Sequence, residues 1–295
     1  MMKNDKTKNE ILSNENYNVS EYRISTITIT GSVNCHINLK ELYENIDIDS
    51  FPKIVYVEHG DNKYNQNYKG EKKRKNKTNA HSVKRFDNQL TIIYKFNGYV
   101  FNIKLFKNGN VQMTGVKDIN EGEKMIDELI EFIKYINVSS NNEIVSIEEI
   151  SKVQNMNYRV RLINSDFKVN FEIKRDVLYK ILLNVYDINC TYEPCIYPGV
   201  KIAYYVNEND KQYNGICQCK IKCIGKKTTC KRITIAIFQS GCVIITGANT
   251  IKQINLTYTY ISDILKNHMS EIKRSRVTLE VLNNLKSLEV TTNSQ

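Results

Sequence analysis

The sequence predicts an α+β protein made of two copies of one unit, each an antiparallel sheet with helices on one face. Three observations predict it. A long segment recurs, the strands alternate apolar and polar residues with a period of two, and each copy closes with an amphipathic helix. At 295 residues, 41% hydrophobic and 25% charged, the chain is long enough for two half-domains with a real core.

The elements follow in order. "RISTITITGSVNCHINLKELYENI", from Arg23, and "RVRLINSDFKVNFEIKRDVLYKIL", from Arg159, each read as a strand and then an amphipathic helix. "SFPKIVYVEHGDNKYNQNYKG" and "IYPGVKIAYYVNENDKQYNG" each set an aromatic–proline pair, Phe51-Pro52 or Tyr197-Pro198, before an extended stretch and a polar loop. Two hairpins follow: "LFKNGNVQMTGV", turning at Asn108-Gly109, and "IFQSGCVIITGA", turning at Ser240-Gly241. Each leads into a helix, "INEGEKMIDELIEFIKYI" and "NTIKQINLTYTYISDILKNH". The offset between copies changes only between these landmarks, where polar loops absorb insertions. The expected organisation is a disordered arm over 1–21, a first repeat over 22–136, a linker over 137–157, a second repeat over 158–268 and a tail over 269–295. The tail carries helical pattern in "VTLEVLNNLKSL".

Alternation sorts the hairpin residues into two faces. Phe101, Ile103, Leu105, Val111 and Met113 form a core face, and Asn102, Lys104, Phe106, Gln112 and Thr114 point the other way. In the second copy Ile233, Ile235, Ile237, Val243 and Ile245 face the core, opposite Thr234, Ala236, Phe238, Cys242, Ile244 and Thr246. The second face is expected to be open, with one Phe near each turn. A single exposed Phe is most simply covered by a loop. Two at matching positions point to a binding role.

"YEPCIYPGV" at 192–200 and "IAIFQSGCVIITGA" at 235–248 resemble the Tyr-Glu-Pro…Phe-Pro-Gly stretch and the Phe-x-Ser-Gly…Val-x-Thr-Gly-Ala hairpin of the TATA-box-binding protein family. "LFKNGNVQMTGVK" and Phe51-Pro52 carry the resemblance in the first copy, and the pattern is that of a divergent member from a large DNA virus. The resemblance, and not the spacing, implies a saddle of two pseudo-symmetric curved sheets with helices on the convex side. It likewise implies binding and bending of AT-rich duplex DNA through the minor groove by wedging aromatics between base steps. Carried over, the wedges are Phe51 and Phe106, and Tyr197 and Phe238. Thr114, Thr246, Ile244 and Ala236 supply the groove floor, and Asn164 is the candidate for the family's central Asn. Gln112 and Lys104 stand where the family has apolar floor residues, and Tyr197 replaces a Phe. Glu193 matches a loop residue that contacts the B-type initiation factor, whereas Cys195 replaces a second acidic residue.

Other constellations are weaker. Cys217, Cys219, Cys223 and Cys230 follow C-x-C-x3-C-x6-C, which can bind zinc, but Cys217, Cys219, Ile221 and Cys223 also alternate as a buried strand face would. The strand is the expectation, with no metal and no cofactor. The net charge of +10 suits a nucleic-acid partner. Part of it lies in "KGEKKRKNK", which reads equally as a phosphate-tracking or nuclear-import run and as a solvated loop. No catalytic triad, phosphate loop or carboxylate pair is found, so an enzyme is not expected. No secretory signal or membrane-spanning run is seen, so the expected place is intracellular, in the nucleus or a cytoplasmic viral replication site. The reading is a transcription initiation factor that partners duplex DNA and polymerase-associated proteins. The polar floor at Lys104 and Gln112 keeps open an interaction scaffold with weak DNA binding.

Overall fold

Alternation of side chains is realised in both repeats: one sheet face is sealed by helices and the other is left half-exposed. The computed structural model describes residues 17–60, 68–70, 88–141, 144–146, 150, 152–207, 213–217, 219 and 230–274. The chain divides into two compact units. One comprises Ile24–Ser165 with Thr246–Gln253, the other the described residues up to Arg23, Asp166–Ile245 and those from Ile254 on.

The first unit contains β1 (Arg23–Ser32), α1 (Leu39–Asn45), β2 (Ile54–His59), β3 (Tyr68–Gly70), β4 (Gln89–Phe96), β5 (Tyr99–Phe106), β6 (Asn110–Val116) and α2 (Ile119–Ser139). Its strands lie in the order β3-β2-β4-β5-β6-β1. The ladder pairs Ile92 with Ile103 and Ile103 with Met113, so the apolar residues stack across the sheet. Asp118 caps α2 by accepting from the Asn120 and Glu121 amides. The helix buries Met125, Ile126, Leu129, Ile130, Ile133 and Ile136. Gly122 permits its close approach, since a Cβ there would sit 2.4 Å from Ile29 Cδ1.

The second unit is built from the carboxyl-terminal part of β7 (Met156–Lys168), α3 (Arg175–Asn184), β8 (Cys190–Thr191), β9 (Val200–Val206), β10 (Lys231–Ile237), the amino-terminal part of β11 (Cys242–Ala248), α4 (Ile251–Asn267) from Ile254 on and α5 (Met269–Ile272). Its order is β11-β10-β9-β8. Ile233, Ile235, Ile237, Val243 and Ile245 are fully buried with Ile254, Ile261 and Leu265 of the helix. Removing apolar side chains of this size from water contributes about 1.5–3 kcal/mol each.

Several expectations are corrected. The arm is ordered from Tyr17 onward: Tyr17 Oη donates to the Ser262 carbonyl at 3.0 Å, Val19 bridges Val169, and Tyr258 Oη donates to the Ser20 carbonyl. These are long-range contacts with no local signature, and the described residues up to Arg23, including the first residue of β1, belong with the second unit. Described residues of the expected linker are packed. Asn137 lies in α2, is fully buried, and its Oδ1 accepts from the Ile144 and Val145 amides. The start of the tail forms α5 and pairs back, with Ile173 bridging Lys273. Cys217 and Cys219 lie in no strand. Cys223, the basic run of Lys72, Lys73, Arg74, Lys75 and Lys77, and the helical pattern of the tail lie outside the described residues. Among the described residues no helix is long and apolar enough to cross a membrane.

The aromatic–proline pairs are not topological equivalents. Tyr197-Pro198 precedes β9, which pairs directly with the hairpin strand β10. Phe51-Pro52 precedes β2, and the strand that pairs with the hairpin strand β5 is β4.

An ion pair fastens α2 over the edge of the first sheet. Lys53 Nζ and Tyr94 Oη donate to Glu128 Oε1 at 2.5 and 2.9 Å. The Lys53 hydrogen bond holds the Glu128 carboxyl below its ordinary value of 4.5, against the opposing effect of burial. A lowered native value means that the stabilisation is complete above pH 4.5 and is lost as pH falls through the native value. In urea titrations, wild type is expected to lose more stability between neutral pH and the range just below 4.5 than Glu128→Gln does. The difference is expected to be about 1 kcal/mol or less for a pair this exposed.

Candidate nucleic-acid interface

The residues assigned to the open faces come together within each unit to different extents. In the second unit, β10 and β11 turn tightly, with Phe238 N donating to the Cys242 carbonyl and Gly241 N to the Phe238 carbonyl. The left-handed φ of 79° at Gly241 makes this turn accessible. Phe238, just past the end of β10, is half-exposed and lies against Tyr197, with ring centroids 5.8 Å apart and planes at 57°. Gly199 lies against the pair: a Cβ there would meet Tyr197 Cε1 at 2.9 Å and Phe238 Cε1 at 3.2 Å. Lys201 Nζ stands 3.7 Å above the Tyr197 ring, a cation–π contact.

This pair is held from behind by a residue that the sequence did not single out. Arg175, at the start of α3, donates through Nη1 to the Pro198 carbonyl and through Nη2 to Gln239 Oε1 at 3.2 Å. Its guanidinium lies 5.4 Å from the Tyr192 ring centroid. It therefore ties the loop carrying Tyr197 to the turn following Phe238. Within that loop the Ile196 and Tyr197 amides both donate to the Glu193 carbonyl. The loop exposes Glu193 and leaves Ile196 at 80% exposure, an apolar side chain in water beside the aromatic pair. Ile244 and Thr246 are half-exposed along β11. Ala236 is corrected: at 6% exposure it is buried, a small side chain opposite the long Lys201 on β9.

The first unit presents a more polar surface. Thr30 pairs with Gln112, Gln112 with Lys104, and Lys104 with Thr91, so these half-exposed side chains form one row across four strands. Arg161 of β7 extends the row, its Nε donating to Thr30 Oγ1 at 2.7 Å. Asn102 pairs with Thr114 in the next row. The side-chain oxygens of Asn102 and, on β7, Asn164 are buried without a hydrogen-bond partner among the described residues. Phe106 is half-exposed at the edge of an open cleft of about 1000 Å³, which Lys107, Arg159, Arg161 and Gln112 also line.

Phe51 is a correction. Its ring meets Phe132 edge-on at 5.2 Å and Tyr135 at 5.6 Å, both on α2, so it packs against the helix and is not on the open face. Among the described residues no ring is paired with Phe106. By chain position alone the counterpart of Tyr197, three residues before β9, is Phe86, three residues before β4; Phe86 lies outside the described residues. That signal needed the strand pairing to be seen.

Comparison with known proteins identifies the family of the chain. Residues 152–268 match the family model described as transcription factor TFIID, or TATA-binding protein. A TATA-box-binding protein-like protein of Acanthamoeba polyphaga mimivirus is 31% identical over 282 residues, covering 91% of this chain and 70% of the relative. A protein of African swine fever virus that carries the TATA-binding protein name is 22% identical over 190 residues, 63% of each chain. The Methanococcus jannaschii TBP structure aligns with a TM-score of 0.43 at 17% identity, covering 84% of this chain and 99% of that one.

The tether predicts a specific loss of order. In Arg175→Ala, the ring resonances of Tyr197 and Phe238 are expected to shift and broaden in NMR spectra. Those of Tyr204, buried in the core of the same unit, are expected to stay in place.

Proposed function

Because the chain belongs to the TATA-binding-protein family, we propose that it is a transcription initiation factor whose open sheet faces bind AT-rich duplex DNA in the minor groove and bend it. The Tyr197–Phe238 pair carries this reading: two half-exposed rings, held by Arg175 and lying against Gly199, on a face that the described residues leave half-exposed. Rings so placed can wedge between base steps, and pyrimidine–purine steps yield most easily. Few donors are needed on such a floor, because the minor groove presents nearly the same acceptors for A·T and T·A. Asn102 and Asn164 hold polar groups in want of a partner, and leaving such a group unsatisfied costs about 1–3 kcal/mol. Arg159, Arg161 and Lys107 supply positive charge for phosphates beside Phe106.

The two repeats are read as unequal. The second carries the aromatic pair and an apolar floor at Ile244, and it makes the principal kink. The first, with Lys104 and Gln112, contributes mostly backbone attraction, so recognition favours AT-rich DNA without strict demand for one sequence. The exposed Glu193 and Ile196 fit a docking point for a B-type initiation factor or another polymerase-associated protein. No catalytic step is assigned. The nucleus or a cytoplasmic viral replication site is the proposed place of action.

Mobility-shift and fluorescence-transfer bending assays on AT-rich duplexes test the reading. Phe238→Ala is expected to weaken binding by about 1–3 kcal/mol and to reduce the bend, the usual range for losing one base-stacking aromatic. Phe106→Ala is expected to cost less, and Phe51→Ala to lower the melting temperature with DNA affinity unchanged. Equal binding by wild type and a Phe106→Ala/Phe238→Ala double variant would leave a protein-interaction scaffold as the better account.

A further inference from the structure

We propose that Cys217, Cys219 and Cys230 bind a structural zinc ion at the base of the β9–β10 connection. Their Sγ atoms all lie within 4.8 Å of one another. Cys219 and Cys230 are 3.4 Å apart, and Cys230 and Cys217 are 3.7 Å apart. Thiolates around one tetrahedral zinc, at about 2.3 Å from the metal, stand about 3.8 Å from each other. Both distances are far beyond the roughly 2.05 Å of a sulfur–sulfur bond. Soft sulfur ligands in a tetrahedral set select zinc among the common divalent ions.

The surroundings are built for this cluster. Asn207 Nδ2 lies 3.7 Å from the Sγ atoms of both Cys219 and Cys230, the kind of outer hydrogen bonding that orients thiolate ligands and tempers their charge. Asn207 directly follows β9 and Cys230 directly precedes β10, flanking the ladder pair Val206–Lys231. The segment leading to Cys217 is anchored in the core. Tyr205 N donates to the Gly215 carbonyl at 2.9 Å, and Tyr204 Oη to the Tyr213 carbonyl at 2.7 Å. Gly215 has a φ of 80° and sits against the Tyr204 ring, where a Cβ would be 2.5 Å from Cδ2.

The need for a clip follows from comparing the repeats. The corresponding connection in the first unit, between β4 and β5, is the two-residue turn Asn97-Gly98. In the second unit the connection spans residues 207–230, and closing so long a segment costs chain entropy. A metal that joins the middle of this connection, at Cys217 and Cys219, to its carboxyl end at Cys230 offsets part of that cost and couples ion binding to folding. On binding, the three thiols release their protons to solvent, and the zinc–trithiolate centre carries one net negative charge next to Lys231 and Arg232. With three protein ligands, a water completes the tetrahedron; Cys223 lies outside the described residues.

The proposal does not rest on the DNA-binding reading, and its test is separate. Full-length protein, purified under reducing conditions without chelator, is expected to carry about one zinc per chain by plasma mass spectrometry. Reconstitution with cobalt(II) is expected to give sulfur-to-metal charge-transfer absorption with an intensity of three or four thiolates. Cys219→Ser is expected to lose most of the zinc, whereas Cys195→Ser, exposed and outside the cluster, retains it. A chelator is expected to lower the melting temperature of wild type but not of Cys219→Ser. Zinc below about a tenth of an equivalent after supplementation, or a cobalt spectrum with fewer than three thiolates, overturns the proposal. The wild-type spectrum decides even if Cys230→Ser, altered at a buried position, does not fold.

Discussion

Everything about this molecule depends on strands that, among the described residues, are covered by helices on one face and left half-exposed on the other. A period-two strand sends every second side chain to the helices, and the helices seal that face completely. Ile103 and Met113 in one unit, and Ile235 and Val243 in the other, are at 0% exposure. A register slip of one residue would exchange the two faces wholesale, so packing against α2 or α4 specifies the pairing strongly. The opposite face is then fixed by elimination. It carries whatever the intervening positions encode, and these positions are free to specialise because, Ala236 apart, they bear little of the core.

The two units use that freedom differently. In the second, the intervening positions carry small or apolar side chains and an aromatic pair. The rings pack closely over Gly199, which has no Cβ to push them off, and Arg175 adds support by reaching Pro198 and Gln239 together. In the first unit the same strand positions carry Thr30, Gln112, Lys104 and Thr91, a row that is polar from edge to edge. Such a row gains little from apolar contact and much from charge and hydrogen bonding. The basic side chains beside Phe106 continue that chemistry.

What could be read from the residues was the part governed by local periodicity. The hairpin faces, the turns at Asn108-Gly109 and Ser240-Gly241 and the helices after them required only alternation and turn chemistry. Phe51 failed because two aromatic–proline pairs look alike in a string of letters, while their equivalence depends on which strands pair. The pairing of β2 with β4, and of β4 with β5, is a non-local fact. The Asn97-Gly98 turn between β4 and β5 did carry a local signal, which would have revealed the additional strand. The packing of Tyr17 on α4 and the tether from Arg175 span long sequence separations and leave no local pattern. The cysteines misled for a different reason: C-x-C spacing fits a strand, and only the fold brings Cys230 back to Cys217 and Cys219.

The position of the cysteine cluster is informative about how the second unit tolerates a long insertion. β10 begins at Lys231, next to the cluster, and ends at Ile237, next to Phe238. Eight residue steps of about 3.3 Å separate Cys230 from Phe238, so the cluster and the aromatic pair stand roughly 26 Å apart at opposite ends of one strand. Extra chain at the cluster end leaves the aromatic end undisturbed, provided the ladder between them stays closed. Val206 paired with Lys231 is the last rung at the cluster end, with no further strand residues to hold it. A cross-link immediately beyond that rung is where fraying would otherwise begin. Sulfur ligands there stabilise the far end of the strand without adding any side chain to the open face.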